Sequence, residues 1–168
     1  MDSFEKRPKT RPAFNNADLL LEILGWISFV LIWILVILKY SSLPDSIPTH
    51  FNAAGKVDDY GGKGTFFISP IIGTIMFVGM TILNRYPYIF NYPVKITADN
   101  AERQYTIATR LIRYIKFVIM CLSLIIEYKI FVTATRGSSG LGGWFLPVFL
   151  GVIFIPLIVA IVKAIEIK

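Results

Sequence analysis

One histidine, one asparagine, two aspartates and a lysine stand close together in a polar stretch of an otherwise apolar chain: His50, Asn52, Asp58, Asp59 and Lys63. Imidazole and carboxylate are the usual metal ligands and proton carriers, so the set invites a metal-binding or acid–base reading. A single imidazole with no thiol beside it makes a poor zinc site. An acid–base pair would still need a nucleophile and an oxyanion donor that the sequence does not identify. The lone cysteine, Cys121, lies in an apolar run, where it forms no intrachain disulfide and builds no thiolate site. No glycine-rich phosphate loop or nucleophile-plus-base motif occurs. We therefore expect no catalytic residue, no metal and no cofactor. His50 and Asn52 are expected either to satisfy backbone groups in a turn or to meet a ligand.

Glu127 is the other chemical candidate. Only ten uncharged residues separate Lys116 from Glu127, about 15 Å of helix where a bilayer core needs ~30 Å. Any spanning placement leaves Glu127, with Lys129 near it, at hydrocarbon depth. A carboxylate there costs ~2.5 kcal/mol or more unless it is paired, protonated or wetted, which makes it a functional candidate. The structural alternative is a pairing with a neighbour such as Lys39 while Lys129 snorkels. Either way we expect Glu127 to be buried with a cationic or polar partner. The candidate ligand-binding residues are thus His50, Asn52, Asp58, Lys63 and Glu127.

The elements that hold these residues follow from composition. The chain is 55% hydrophobic and 17% charged, with a mean hydropathy of +0.63, more apolar than a soluble domain of this length can bury. The reading is an all-α, polytopic membrane protein, a bundle of four transmembrane helices. Residues 1–16 form a basic, irregular tail. Residues 17–40 make the first span, too long for a signal peptide and lacking a small-x-small cleavage pattern, with Asn15 or Asn16 as its cap. Residues 41–64 are a loop, 65–83 the second span and 84–98 a linker whose Tyr86, Tyr88, Phe90 and Tyr92 suit the headgroup region. Residues 99–135 form one long third helix, opened by a capping-box-like Asp99 and Glu102. Residues 136–143 are a flexible glycine turn, and residues 144–165 the last span, kinked at Pro156. Within the loop, Pro44 and Pro48 restrict the chain and Gly55 permits a turn. Leu43, Ile47, Phe51 and Val57 have apolar surface to bury, so the loop should be an ordered lid on the helix ends.

Lys and Arg are divided unevenly between the ends of the spans. Twelve lie in the tail, in the linker through Lys116 and at the C-terminus, against four at Lys39, in the loop and in the glycine turn. This puts both termini in the cytoplasm and the loop outside. The same count explains the net charge of +6 as membrane anchoring, with no nucleic-acid partner.

Leu43, Pro44, Ile47, Pro48, His50, Phe51, Asn52, Gly55, Asp58 and Lys63, set between two apolar helices, resemble the uncharacterised bacterial membrane domain at the front of the sporulation-delaying-toxin immunity family. The likeness extends to Tyr92, Pro93, Val94, Asn100, Glu102, Arg103 and Tyr105, which look like that family's cytoplasmic linker. Members are usually longer, with further helices after this domain. The resemblance implies a bacterial inner-membrane protein whose external loop meets a toxic peptide or other membrane-active agent, conferring immunity or reporting exposure. Two alternatives belong to other classes: a small transporter or channel component that oligomerises around Glu127, and the membrane subunit of a partner complex.

Overall fold

The computed structural model describes residues 7–167; Lys6 of the basic tail and Lys168 lie outside them. Four helices are long and apolar enough to cross a membrane. They are α1 (Asn16–Lys39), α2 (Ile68–Leu83), α3 (Ala101–Arg136) and α4 (Phe145–Glu166). The expectation of an all-α chain needs correction. Residues 41–64 contain an antiparallel hairpin, β1 (Ser46–Phe51) and β2 (Val57–Gly62), flanked by 3₁₀ turns at Tyr40–Ser42 and Lys63–Phe67. Pro48 is compatible with a strand here because the sheet has only two strands, so one side of each needs no ladder donor.

Local chemistry sets the helix limits. Asn15 caps α1 in a reciprocal box, its side chain accepting from Asp18 N while Asp18 Oδ2 accepts from Asn15 N. The start of α3 differs from expectation: Asp99 does not cap it. Asn100 precedes the helix, with Thr97 N donating to its Oδ1 at 2.9 Å. At the other end Gly137 adopts φ 67°, the left-handed conformation that closes α3.

Helix α3 is central, packing against α1, α2, α4 and β1. Its contacts with α1 advance together in sequence: Arg110 meets Asp18, Cys121 meets Ser28, and Ile130 shares a cluster with Val36. The two helices are therefore parallel. Apolar side chains such as Ile37, Leu38, Ile75 and Ile155 point outward from α1, α2 and α4, the arrangement of helices whose solvent is lipid.

The basic face of α3 does more than mark an interface. Arg110 makes a two-pronged bond to Asp18, 2.9 Å to each oxygen. Arg113 reaches Glu22 at 3.2 Å, and Lys116 reaches Glu22 at 2.6 Å. Asp18 and Lys116 are buried. These cations, read from the sequence as membrane anchors, also clamp α1 to α3.

Two side chains of α3 secure α4. Pro156 has no N–H for the carbonyl one turn back, that of Val152, and the Tyr114 hydroxyl of α3 donates to it at 2.9 Å. The Gln104 amide nitrogen donates to the carbonyls of Ala164 and Ile167 at the end of α4, 2.7 Å to each. The tail and linker are also tied down. Arg7 donates to the carbonyls of Tyr88 and Phe90, and the Tyr105 hydroxyl donates to Pro8. Tyr88 and Tyr92 pack on Ile96 and Tyr105, so these rings do not form the open aromatic belt expected of the linker. Burial raises the Tyr92 phenol above its ordinary pKa, and as a neutral hydroxyl it donates to Pro87 O.

Candidate functional site

Beneath the hairpin is a cavity of about 360 Å³. Its walls come from β1, the start of α2 and the middle of α3; Leu141 of the glycine turn completes them. Leu43, Ile47 and Pro48 are buried and Phe51 and Val57 half-buried, while Pro44 is exposed. Leu43 and Ile47 join Val36, Phe66 and Ile130 in one cluster. That apolar contact seats the hairpin on the helix ends.

The far side of the hairpin is seated by backbone. Asn52 builds its turn, with Oδ1 accepting from Ala54 N at 3.0 Å and Lys56 N at 3.2 Å. This leaves Gly55 at φ 71°, its carbonyl accepting from Leu141 N at 2.8 Å. A Cβ on Gly55 would overlap the backbone of Gly142, and one on Gly140 would overlap Gly55 O. The segment Arg136 to Gly143, expected to be a flexible turn, is thus a docking surface whose small residues let two backbones meet.

The candidate residues divide into three groups. His50 and Asp58 come together, Nδ1 to Oδ1 2.6 Å, across a register shift in the strand pair. Both are well exposed, 65% and 41% by side chain, so the pair contributes little to stability. Lys63 does not converge on them; it pairs with Asp45 at 2.9 Å at the base of the hairpin. Asn52 is occupied by its turn. Glu127 is 1% exposed and lines the cavity with His50 and Ser69. Ser69 of α2 stands close enough to give the Glu127 carboxyl group a weak hydrogen bond, but neither oxygen has a partner of good geometry, and no cation pairs with it, among the described residues. The expected pairing with Lys39 is not made, because the Lys39 ammonium sits 5.3 Å from the centre of the Phe131 ring. Ser69 is the polar side chain beside the carboxyl group.

The cavity is apolar with one buried carboxyl group in its wall and an imidazole–carboxylate pair at its edge. Such a site can accept a hydrogen bond or a cation from a guest whose remaining surface is apolar. Among the described residues no cluster of three or more His, Cys, Asp or Glu side chains could hold a metal ion. Among the lining residues not anticipated are Leu141 and Ser69. Leu141 had a readable signal, being the one apolar residue in RGSSGLGG, whereas Ser69 had none.

Four helices long and apolar enough to cross a membrane define a multi-pass membrane protein, with the hairpin roofing a cavity between α2 and α3. A family model described as a domain of unknown function (DUF1648) matches residues 27–74, the stretch from the middle of α1 through the hairpin into α2. An uncharacterized protein of Archaeoglobus fulgidus is 32% identical over 141 residues, 75% of this chain and 76% of its own length. The chain belongs to the family of that archaeal protein and carries the DUF1648 domain. No solved structure matches it.

Proposed function

We propose that this chain is a membrane-embedded binding protein, with no catalytic role, whose cavity beneath the hairpin receives an apolar ligand bearing an ammonium or other strong hydrogen-bond donor. The observation that carries the reading is Glu127, buried in the cavity wall with only Ser69 beside its carboxyl group and no cationic partner among the described residues. Burying such a group without a partner costs several kcal/mol, which a donor from a guest would offset. With the hairpin outside and both termini in the cytoplasm, the guest arrives from the external face. The resemblance to the immunity family suggests a cationic or amphipathic peptide, and the protein would then protect against it or report it. A transporter would need a polar route onward from Glu127. Ile32, Phe77 and Met120, all buried, form an apolar layer in the bundle interior, and we therefore place binding first.

Binding of cationic amphipathic peptides to the full chain in nanodiscs, measured by calorimetry, tests the proposal. Glu127→Gln should weaken binding at least about tenfold, the loss of one charge-assisted hydrogen bond, and His50→Ala should weaken it less. Equal affinities for the parent protein and Glu127→Gln would remove the cavity from consideration.

A further inference from the structure

The opposite end of the bundle holds a second site that the hairpin cavity does not explain. Gln104, in the first turn of α3, is fully buried. Its amide nitrogen faces two acceptors, the carbonyls of Ala164 and Ile167. Because carbonyls cannot donate, this fixes the amide orientation and turns Oε1 the other way. There it has no hydrogen-bond partner among the described residues. Gln104 lines a groove of about 300 Å³ between α3, α4 and the linker. Along the helices the groove is apolar, through Ala108, Leu111, Leu157 and Ile161, and at the linker it meets the rings of Phe90 and Tyr92.

We propose that this groove binds one phospholipid with a primary ammonium headgroup, phosphatidylethanolamine, its acyl chain along α3 and α4 and its ammonium donating to Gln104 Oε1. Charge complementarity selects the headgroup. The groove ends at the C-terminal end of α4, the negative end of the helix dipole, and among the described residues no Lys or Arg lines it. Tyr92 already carries the Arg7 guanidinium 5.7 Å from its ring centre, so the preference for an ammonium rests on the helix end and on Gln104 Oε1. A choline headgroup carries the same charge but has no N–H to donate, so the site should distinguish the two. Groove depth matches a lipid's polarity, with the acceptor at the helix ends and the apolar walls further in.

The test is competitive lipid retention by the full chain in mild detergent, read by native mass spectrometry, with phosphatidylethanolamine and phosphatidylcholine of identical acyl chains. The parent protein should prefer the ethanolamine lipid about tenfold, with a graded fall through the mono- and dimethylated headgroups. Gln104→Met should abolish the preference while apolar retention persists. Ala108→Phe, which fills the groove and leaves the Gln104 hydrogen bonds to α4 in place, should reduce retention of both lipids. Equal retention of the two lipids by the parent protein, or undiminished retention of the ethanolamine lipid by Ala108→Phe, would overturn the proposal. Because the parent protein alone decides the headgroup question, misfolding of either variant does not leave it open.

Discussion

The ammonium of Lys116 lies 2.6 Å from Glu22 Oε2 and 3.1 Å from the Thr81 hydroxyl, so one lysine with no side-chain solvent exposure joins α1, α2 and α3. Charges at this depth are tolerated only in company, and removing one partner strands the other. Glu22→Gln should therefore destabilise by about 3 kcal/mol. Adding Lys116→Met should recover most of that loss, since no ammonium is then left buried without its carboxylate. Reversible unfolding of the single and double variants in mixed micelles measures both effects. A double variant no more stable than Glu22→Gln would mean that the lysine acts by packing.

The bond from Tyr114 to Val152 exists because Pro156 leaves that carbonyl without its helical donor. Tyr114→Phe should cost about 1 kcal/mol. In a Pro156→Ala background the helix satisfies its own carbonyl, and the same substitution should cost much less. A double-mutant cycle with equal costs in the two backgrounds would separate the hydroxyl from the proline.

Gly55 and Gly140 bring two backbones together on the far side of the hairpin. Both have positive φ, 71° and 92°, and an added Cβ at either would overlap a backbone carbonyl. Gly140→Ala should detach the hairpin tip from the glycine turn by about 1 kcal/mol or more. Spin labels at Ala53 and Ser139 should then report a longer and broader distance distribution, with the helical content unchanged. Gly62→Ala, where a Cβ meets open space, should leave the distance as it is.

How far this could be read in advance depended on whether the signal was local. The four helices announce themselves by runs of apolar residues, and the Asn15 cap by its own neighbours. The hairpin was harder. Its β1 strand contains a proline and its β2 strand, VDDYGG, has little strand propensity, so the pairing is stabilised mainly by burial of Ile47 against α3 and by the Gly55 contact. The clamp between α1 and α3 was half visible. Asp18 and Glu22 are one turn apart, as are Arg110, Arg113 and Lys116 in succession, but charge at a helix end also follows from anchoring alone. Only packing shows which carboxylate each cation meets. Glu127 was singled out by depth, and its lack of a cationic partner is a tertiary fact that spacing does not carry.

That lack reverses the expected sign of one substitution. A paired Glu127 would strand its partner on removal. With no cationic partner and only a weak bond from Ser69 among the described residues, Glu127→Gln should leave stability unchanged or raise it by about 1 kcal/mol. Unfolding in mixed micelles without ligand is the appropriate measurement. A loss of 2 kcal/mol or so, the size expected for a broken buried pair, would reveal a partner and weaken the binding proposal.

Orientation decides which side of the membrane presents the cavity, and the proposed one rests on twelve Lys and Arg at one end of the spans against four at the other. In a Cys121→Ser background, which keeps a hydroxyl for the contact with Ser28, single thiols at Ala54 and Ser139 mark the hairpin end, and thiols at Lys95 and Asp99 mark the linker end. All four positions are exposed, so labelling depends on side and not on burial. An impermeant maleimide on intact cells should modify the first pair and reach the second only after permeabilisation. The reverse pattern would put His50, Asp58 and the cavity mouth in the cytoplasm. A peptide arriving from outside could then no longer be the ligand, and the guest for Glu127 would have to be sought among cytoplasmic amphiphiles.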